Sequence, residues 1–572
     1  MASTTDTRIP QDKLSHVSGR TDSALLTDSV AQALIRTADR LPDQEAVVFC
    51  ESGERWTWRE FAQRTDALAH ALLKLGLKPG DRIGIWSPNR PEWLLAQFAT
   101  ARTGLVLVNI NPAYRLGELE YALNKVSCSA LITAERFKSS DYLQMLRDLA
   151  PELACSEPGN LQAARLPALK TIIKAGDAIE PGMFCFGSLV ADQAGQPGEP
   201  LDKIMQGLNP TDPINIQFTS GTTGLPKGAT LSHRNIVNNA YFVTGAMDFT
   251  DQDRLCIPVP FYHCFGMVMG TLGCVTRGAA MIIPSEGFDP DLTLKAVSAE
   301  KCTAVYGVPT MFVAMLAHAD FEQFDLSRLR TGIMAGAPCP VEVMKKVQAK
   351  MNMREVTIAY GMTETSPVSF QSSTDDPLDK RVSSVGRIHP HVEVKIVNEQ
   401  GRIVPVGEQG ELCTRGYSVM LGYWDDQAQT DASIDADHWM HTGDLATIDP
   451  QGYCNITGRV KDMIVRGGEN VYPREVEEYL YRMDGIAQVQ VFGIPDEKFG
   501  EAVCTWIVKE EGATLTEDDV REFCRSQISH FKVPAVIQFV DEIPMTVTGK
   551  PQKFVMRKAV VEALGLREIA TA

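Results

Sequence analysis

At 572 residues the chain is too long for one ordinary hydrophobic core, so at least two domains are expected. Hydrophobic residues make up 44% and glycine and proline are unexceptional, the composition of a globular protein with a sizeable interior rather than of a disordered chain. A net charge of −17 argues against a surface for nucleic acid or anionic lipid, so a polyanionic ligand must be held by local donors.

The first thirty residues mix Ser, Thr, Asp, Arg and Lys, without the apolar run of a signal peptide or the acid-poor bias of a transit peptide. Residues 1–30 are therefore expected to be a flexible lead-in, and the expected location is cytoplasmic. Thr57 and Glu60 have capping-box spacing, and Phe61, Leu68, Leu72 and Leu75 follow at roughly helical intervals before Gly76, predicting a helix. An apolar run Arg82–Trp86, a helix-like Glu92–Ala101 and a second run Leu105–Ile110 come next. Strand alternating with helix predicts parallel sheet in an α/β architecture.

The alternation returns around Ile214–Phe218, Ala280–Ile283, Ala304–Tyr306 and Gly332–Met334. Beyond Val392 short strands with Gly-rich turns, Val392–Val397 and Gly410–Arg415, predict an antiparallel, barrel-like subdomain. The main boundary is expected at Gly458–Asp462. After it a helix from Pro473 stacks Val476, Leu480 and Met483, strand Val489–Ile494 pairs with Ala502–Val508, and a second helix carries Val520, Phe523 and Ile528, a compact α+β unit. No apolar stretch approaches bilayer length. The thirteen cysteines, from Cys50 to Cys524, show neither a CxxC pair nor zinc-ligand spacing and read as reduced thiols, mostly in the core.

The segment Phe218-Thr-Ser-Gly-Thr-Thr-Gly-Leu-Pro-Lys-Gly228 follows the run Ile214–Phe218 and is built for phosphate. Its glycines let the backbone approach closely, its hydroxyls donate, and Lys227 adds a mobile charge. It is not a Walker A loop, because Pro226 rather than Gly precedes Lys227 and Gly228 follows it.

This segment resembles the signature of the adenylate-forming superfamily of acyl-CoA synthetases, luciferases and peptide-synthetase adenylation domains. Further matching stretches follow in order: Tyr360-Gly-Met-Thr-Glu-Thr365, Tyr423-Trp424, Thr442-Gly-Asp444, Gly458-Arg459, Gly467-Gly-Glu-Asn470 and Thr548-Gly-Lys550. The wording of Tyr262-His-Cys-Phe-Gly266, Tyr306–Phe312, Arg466–Pro473 and Ser529–Pro534 is similar to the branch containing acyl-CoA synthetase family member 2 and bacterial fatty acyl-CoA ligases. The resemblance implies an α/β and α+β multidomain fold. A large N-terminal domain, 31–459, would comprise two α/β subdomains and a small β-barrel-like subdomain, with a small mobile C-terminal domain at 460–572.

It also implies the chemistry. A carboxylate is a poor electrophile, so its oxygen first attacks the α-phosphate of ATP, and the charge gathering there needs cationic stabilisation. By resemblance, Thr219, Ser220, Gly221, Thr222, Thr223, Gly224 and Lys227 would cradle phosphates. Glu364 with Thr223 would hold Mg²⁺, Thr363 would donate to the α-phosphate, and Lys550 would follow the moving charge. Asp444, assisted by Arg459, would take the ribose hydroxyls, and Gly336, Ala337, Pro338, Tyr360 and Gly361 would frame the adenine.

In the second half-reaction coenzyme A takes the acyl group after the C-terminal domain rotates about Lys461, presenting Gly467 and Gly468 to the pantetheine. Arg466 and Lys532 are either phosphate contacts or plain surface charges. Tyr262, Phe265, Gly266, Met267, Tyr306 and Met362 are the candidate acyl pocket, and His263 is either a core histidine or a gate near the carboxylate. No Asp stands in Phe261–Cys264 to pair with an amino group, so the expected substrate is a neutral-tailed fatty acid of medium or longer chain. An aromatic or branched acid, a separate carrier protein as acceptor, a homodimer and a peripheral membrane contact stay open. A non-catalytic module is disfavoured because Thr223, Lys227, Glu364, Asp444, Arg459 and Lys550 are all in place.

Overall fold

The computed structural model describes residues 6–566, apart from 197–198, 220–225, 338, 467–468, 497, 526–527 and 548. Two large sheets dominate. The first has eight strands, in the order Phe184–Cys185, Thr171–Lys174, Ala130–Thr133, Arg82–Trp86, Val106–Asn109, Pro213–Thr219, Lys227–Ser232 and Gly422–Tyr423. Its first six strands are parallel, and the last two turn antiparallel. Strands Val106–Asn109, Ala130–Thr133 and Thr171–Lys174 are buried throughout, as expected of parallel strands covered on both faces.

The second sheet has nine strands, with Glu355–Gly361, Thr331–Ala335, Ala304–Gly307, Arg254–Cys256, Ala280–Ile283 and Glu45–Phe49 forming a parallel centre. One continuous core joins the facing sides of both sheets, with Ile83, Ile85 and Leu107 from one and Val47, Leu255 and Met281 from the other. Helix Pro91–Thr103 lies in that core, and every residue from Glu92 to Thr103 is buried, so its sequence shows no polar face. Separate cores cover the outer face of each sheet, giving five layers of alternating helix and sheet.

Helix Trp58–Lys74 starts with the predicted capping box, Thr57 Oγ1 accepting from Glu60 N while the Glu60 carboxylate accepts from Thr57 N. The predicted antiparallel subdomain is a five-stranded sheet in the order His16–Ser18, Val392–Val397, Gly410–Gly416, Met440–Ile448 and Cys454–Arg459. It is open rather than closed into a barrel, because its two edge strands, His16–Ser18 and Cys454–Arg459, do not pair with each other. Residues expected to be a lead-in thus supply an edge strand, with His16–Ser18 running antiparallel to Glu393–Lys395.

Strand Cys454–Arg459 ends where a single tight turn, Val460–Asp462, leads into the C-terminal sheet. There Ile486–Asp496 pairs with Gly500–Lys509, which also pairs with Ile464–Arg466 and, in parallel, with Val536–Phe539. Helices Pro473–Leu480 and Glu517–Arg525 pack Val476, Leu480, Val520 and Cys524 against one face. Helix Lys553–Leu564 packs Met556 and Val560 against Phe492, Ile494 and Cys504.

Candidate active site

The carboxyl ends of the central strands of both sheets converge, which is where open α/β sheets offer a crevice. Thr219, the last residue of Pro213–Thr219, donates from Oγ1 to Glu364 Oε1 at 2.9 Å across 145 positions of sequence. Tyr423 OH donates to the same oxygen at 2.9 Å, and Lys227 Nζ sits 4.3 Å from the Tyr423 ring centroid. Glu364 is only 5% exposed, and among the described residues only its Oε1 receives hydrogen bonds. It follows Gly361, whose α-carbon lies so close to Pro367 that an added Cβ would fall 1.7 Å from that carbonyl oxygen. Gly361 is therefore required by the turn that presents Thr363 and Glu364.

A second carboxylate anchors the other side. Asp444 accepts from Tyr360 OH at 2.6 Å on Oδ2 and pairs with Arg459 Nε at 2.9 Å on Oδ1. Asp444 and Arg459 are direct cross-strand partners in the antiparallel sheet. Each oxygen keeps a second lone pair, enough for a diol to add hydrogen bonds to those already made. Burial and then Asp444 push the Tyr360 hydroxyl well above its usual range, so it stays protonated and donating.

Lys550 arrives from the C-terminal domain. The turn that carries it is closed by Thr546 N–H donating to Lys550 O at 2.8 Å, Lys550 N–H donating to Thr546 Oγ1 at 3.0 Å, and a Met545–Pro551 bridge. Gly549 has φ +75°, and a Cβ there would lie 2.6 Å from Val308 Cγ2, while a Cβ on Gly336 would lie 3.8 Å from Lys550 Cε. The lysine thus docks against the large domain between Val308 and Gly336. Burial and then Arg459 pull its ammonium below the usual lysine range, while Cys264, Glu364 and Asp444 act in the opposite direction.

His263 stands beside this lysine. Burial and then Lys550 push its imidazole down to about 3, and Nδ1 accepts the Phe265 N–H at 3.1 Å, so it is a neutral group. Its neighbours Phe265, Gly266 and Met267 open a π-helical stretch, Phe265–Leu272, that is buried throughout. Phe265 stacks on the buried Tyr306 at 5.5 Å between ring centroids. The Cys264 thiol contacts Thr363.

A polar seam that no motif announced runs beneath this segment. Cys264 Sγ donates to Gln217 Oε1 at 3.0 Å, Gln217 Nε2 to Asn215 Oδ1 at 2.9 Å, Asn215 Nδ2 to Asn109 Oδ1 at 2.9 Å, and Asn109 Nδ2 to Tyr262 O at 2.8 Å. The available signal is the alternation Asn215, Gln217, Thr219 within an otherwise apolar strand, three polar groups on one face leading to the site.

Not every predicted residue joins the cluster. Ser220, Gly221, Thr222, Thr223, Gly224, Pro338, Gly467 and Gly468 lie outside the described residues. Ala337 lines a narrow cleft between the domains together with Thr310, Arg474 and Met545. Lys461 is exposed in the turn between them. Lys532 pairs with Glu475 at 2.5 Å and Arg466 donates to Phe531 O at 2.7 Å, so both are engaged within the small domain. A cavity of 1560 Å³ lies between the two large sheets, lined by Phe49, Asn89, Arg90, Ile283 and Phe288, none of them a predicted site residue. It reaches the Phe261–Cys264 segment through Asn89, which accepts the Phe261 N–H.

Residues 34–424 match the AMP-binding enzyme family, and residues 475–550 match the AMP-binding enzyme C-terminal domain. The chain belongs to the AMP-binding enzymes. This AMP-binding enzyme is 47% identical over 562 residues to the medium-chain acyl-CoA ligase ACSF2, mitochondrial, of Danio rerio, covering 98% of this chain and 92% of the relative. It is 46% identical to the putative acyl-CoA synthetase YngI of Bacillus subtilis, covering 95% and 99%. Among solved structures it resembles the anthranilate CoA ligase AuaEII in complex with anthranoyl-AMP, with TM-score 0.84 and 25% identity over 96% of this chain and 99% of that one. It also resembles ATP-bound MatB from Rhodopseudomonas palustris, with TM-score 0.77 and 28% identity over 93% and 99%.

Proposed function

We propose that this AMP-binding enzyme activates a medium-chain fatty acid with ATP and transfers the acyl group to coenzyme A. The observation that carries this reading is Lys550, a half-buried ammonium delivered by the small domain into a cluster containing Glu364, Asp444 and Arg459. The substrate carboxylate oxygen attacks the α-phosphorus, the bond to the pyrophosphate oxygen breaks, and an acyl-adenylate forms. Lys550 holds positive charge where negative charge accumulates, and Asp444 orients the ribose, itself held by Tyr360 and Arg459. Neutral His263 places a polar edge beside Lys550 without adding a second positive charge.

The donor set fits a Mg²⁺ ion at Glu364, a buried carboxylate with one oxygen not engaged by the described residues. When bound, the ion would neutralise phosphate charge. In the second step the coenzyme A thiolate displaces AMP from the acyl carbon. The apolar, aromatic surroundings of Phe265, Met267 and Tyr306 support an aliphatic tail.

The test is AMP release across straight-chain acids from butyrate to palmitate. The expected result is a maximum near octanoate or decanoate that requires coenzyme A, with acid-dependent pyrophosphate exchange into ATP. Exchange without dependence on coenzyme A for AMP release would point to a different acceptor.

A further inference from the structure

The open antiparallel sheet carries a second group of reactive side chains outside the nucleotide site. Cys413 and His441 face each other as cross-strand partners, and Glu411 lies two residues before Cys413, on the same face. His441 Nδ1 lies 3.0 Å from Glu411 Oε2 and 3.5 Å from Cys413 Sγ, and the three ligand atoms are all within 4.8 Å of one another. A tetrahedral zinc ion with ordinary bond lengths would space sulfur and nitrogen about 3.6 Å apart and nitrogen and oxygen about 3.3 Å apart. Both separations from His441 Nδ1, to sulfur and to oxygen, stand near coordination spacing.

Its surroundings match a ligand set held from outside. Asp435 Oδ2 lies 3.7 Å from His441 Nε2, the ring nitrogen facing away from the cluster. Glu411 Oε1, the oxygen facing away, accepts the Gly443 N–H at 3.1 Å. Ligating imidazoles and carboxylates are typically oriented by such partners. A simple Glu–His ion pair accounts for two of the three groups but not for a fully buried thiol aimed at the same nitrogen. At 36% side-chain exposure the ring also leaves a route in from solvent.

We propose that Glu411, Cys413 and His441 bind one borderline-soft divalent transition-metal ion, Zn²⁺ or its Co²⁺ surrogate, with water at the fourth corner. Thiolate and imidazole select such an ion over Mg²⁺, which takes oxygen ligands. Cys413 binds as the thiolate, its proton passing to solvent as the ion enters. His441 lies three residues before Asp444 on strand Met440–Ile448, and Glu411 already grips Gly443 between them. The ion is a positioning element for that strand and takes no part in the reaction itself.

The experiment titrates chelator-treated, full-length protein with Co²⁺. One equivalent should produce a thiolate-to-cobalt charge-transfer band in the near ultraviolet and visible bands of tetrahedral intensity, both abolished by one equivalent of Zn²⁺. Cys413→Ser and His441→Asn should lose these bands, whereas Cys155→Ser, which alters an exposed thiol remote in sequence, should keep them. Absence of the charge-transfer band in the wild-type protein, or its persistence in Cys413→Ser, would overturn the site and leave an ion pair only. Absence of the band from the wild-type protein overturns the site even where a variant fails to fold.

Discussion

Lys550 is the residue on which the first half-reaction turns, and the two halves separate its role from folding. Lys550→Ala is expected to slow adenylation at least about 100- to 1000-fold, the cost of removing one preorganised donor of transition-state charge. Thiolysis of supplied acyl-adenylate should be nearly unchanged, and a rapid-quench comparison of the two steps checks this. Tyr360→Phe removes a 2.6 Å hydrogen bond to a buried carboxylate. A hydrogen bond to a charged group contributes about 1.5–3 kcal/mol, so KM for ATP should rise about 10- to 100-fold with a smaller change in kcat. The Tyr360 hydroxyl also serves Asp444, a pairing between positions 84 residues apart that no local pattern encodes.

At the scale of elements, the turn 545–551 works only if its glycine keeps a left-handed backbone and an empty Cβ position. Gly549→Ala meets both a φ of +75° and Val308 Cγ2 at 2.6 Å. The backbone strain alone costs about 1–2 kcal/mol, so stopped-flow adenylation should fall by about 10-fold or more while global stability, read by urea unfolding, changes little. Three histidines, His233 and His389 buried and His263 half-buried, couple elements to pH. His263 and His389 are pushed down to about 3 and His233 to about 4, burial being the first cause in each.

The unfolded chain takes up these protons near pH 6.5, so the stability held by the neutral rings is complete above that value and is lost as pH falls toward 4 and 3. Each group contributes a slope of about 1.4 kcal/mol per pH unit within its window. His389→Asn should flatten the acid limb of the stability curve by about that slope, measured by urea midpoints from pH 6.5 to 4. The elements themselves were largely legible: Thr57 and Glu60 announced their helix, and the apolar runs 280–283 and 392–397 are strands at those bounds. Helix Pro91–Thr103 was expected over Glu92–Ala101, and its full extent was not legible, because burial on all sides removes the polar face that a pattern needs. The π-helical turn after Cys264 and the open edge of the antiparallel sheet depend on tertiary packing and left no local signature.

For the whole molecule, the link between domains narrows to the turn Val460–Asp462, which follows directly on Arg459, so the proposed hinge adjoins Asp444, the proposed ribose carboxylate, through one cross-strand pair. Lys461→Pro fixes one backbone torsion there. It is expected to leave adenylation near wild type and to slow acyl transfer to coenzyme A, which single-turnover assays of each step distinguish; loss of adenylation alone would remove the hinge assignment. Mounting Lys550 on the smaller domain has a kinetic result as well. Any swing that clears space for the thiol carries away the same ammonium that would assist pyrophosphate in attacking the adenylate, so opening the second path disarms the return along the first. Commitment to product is then set by where one amine is attached to the scaffold, without a separate gate.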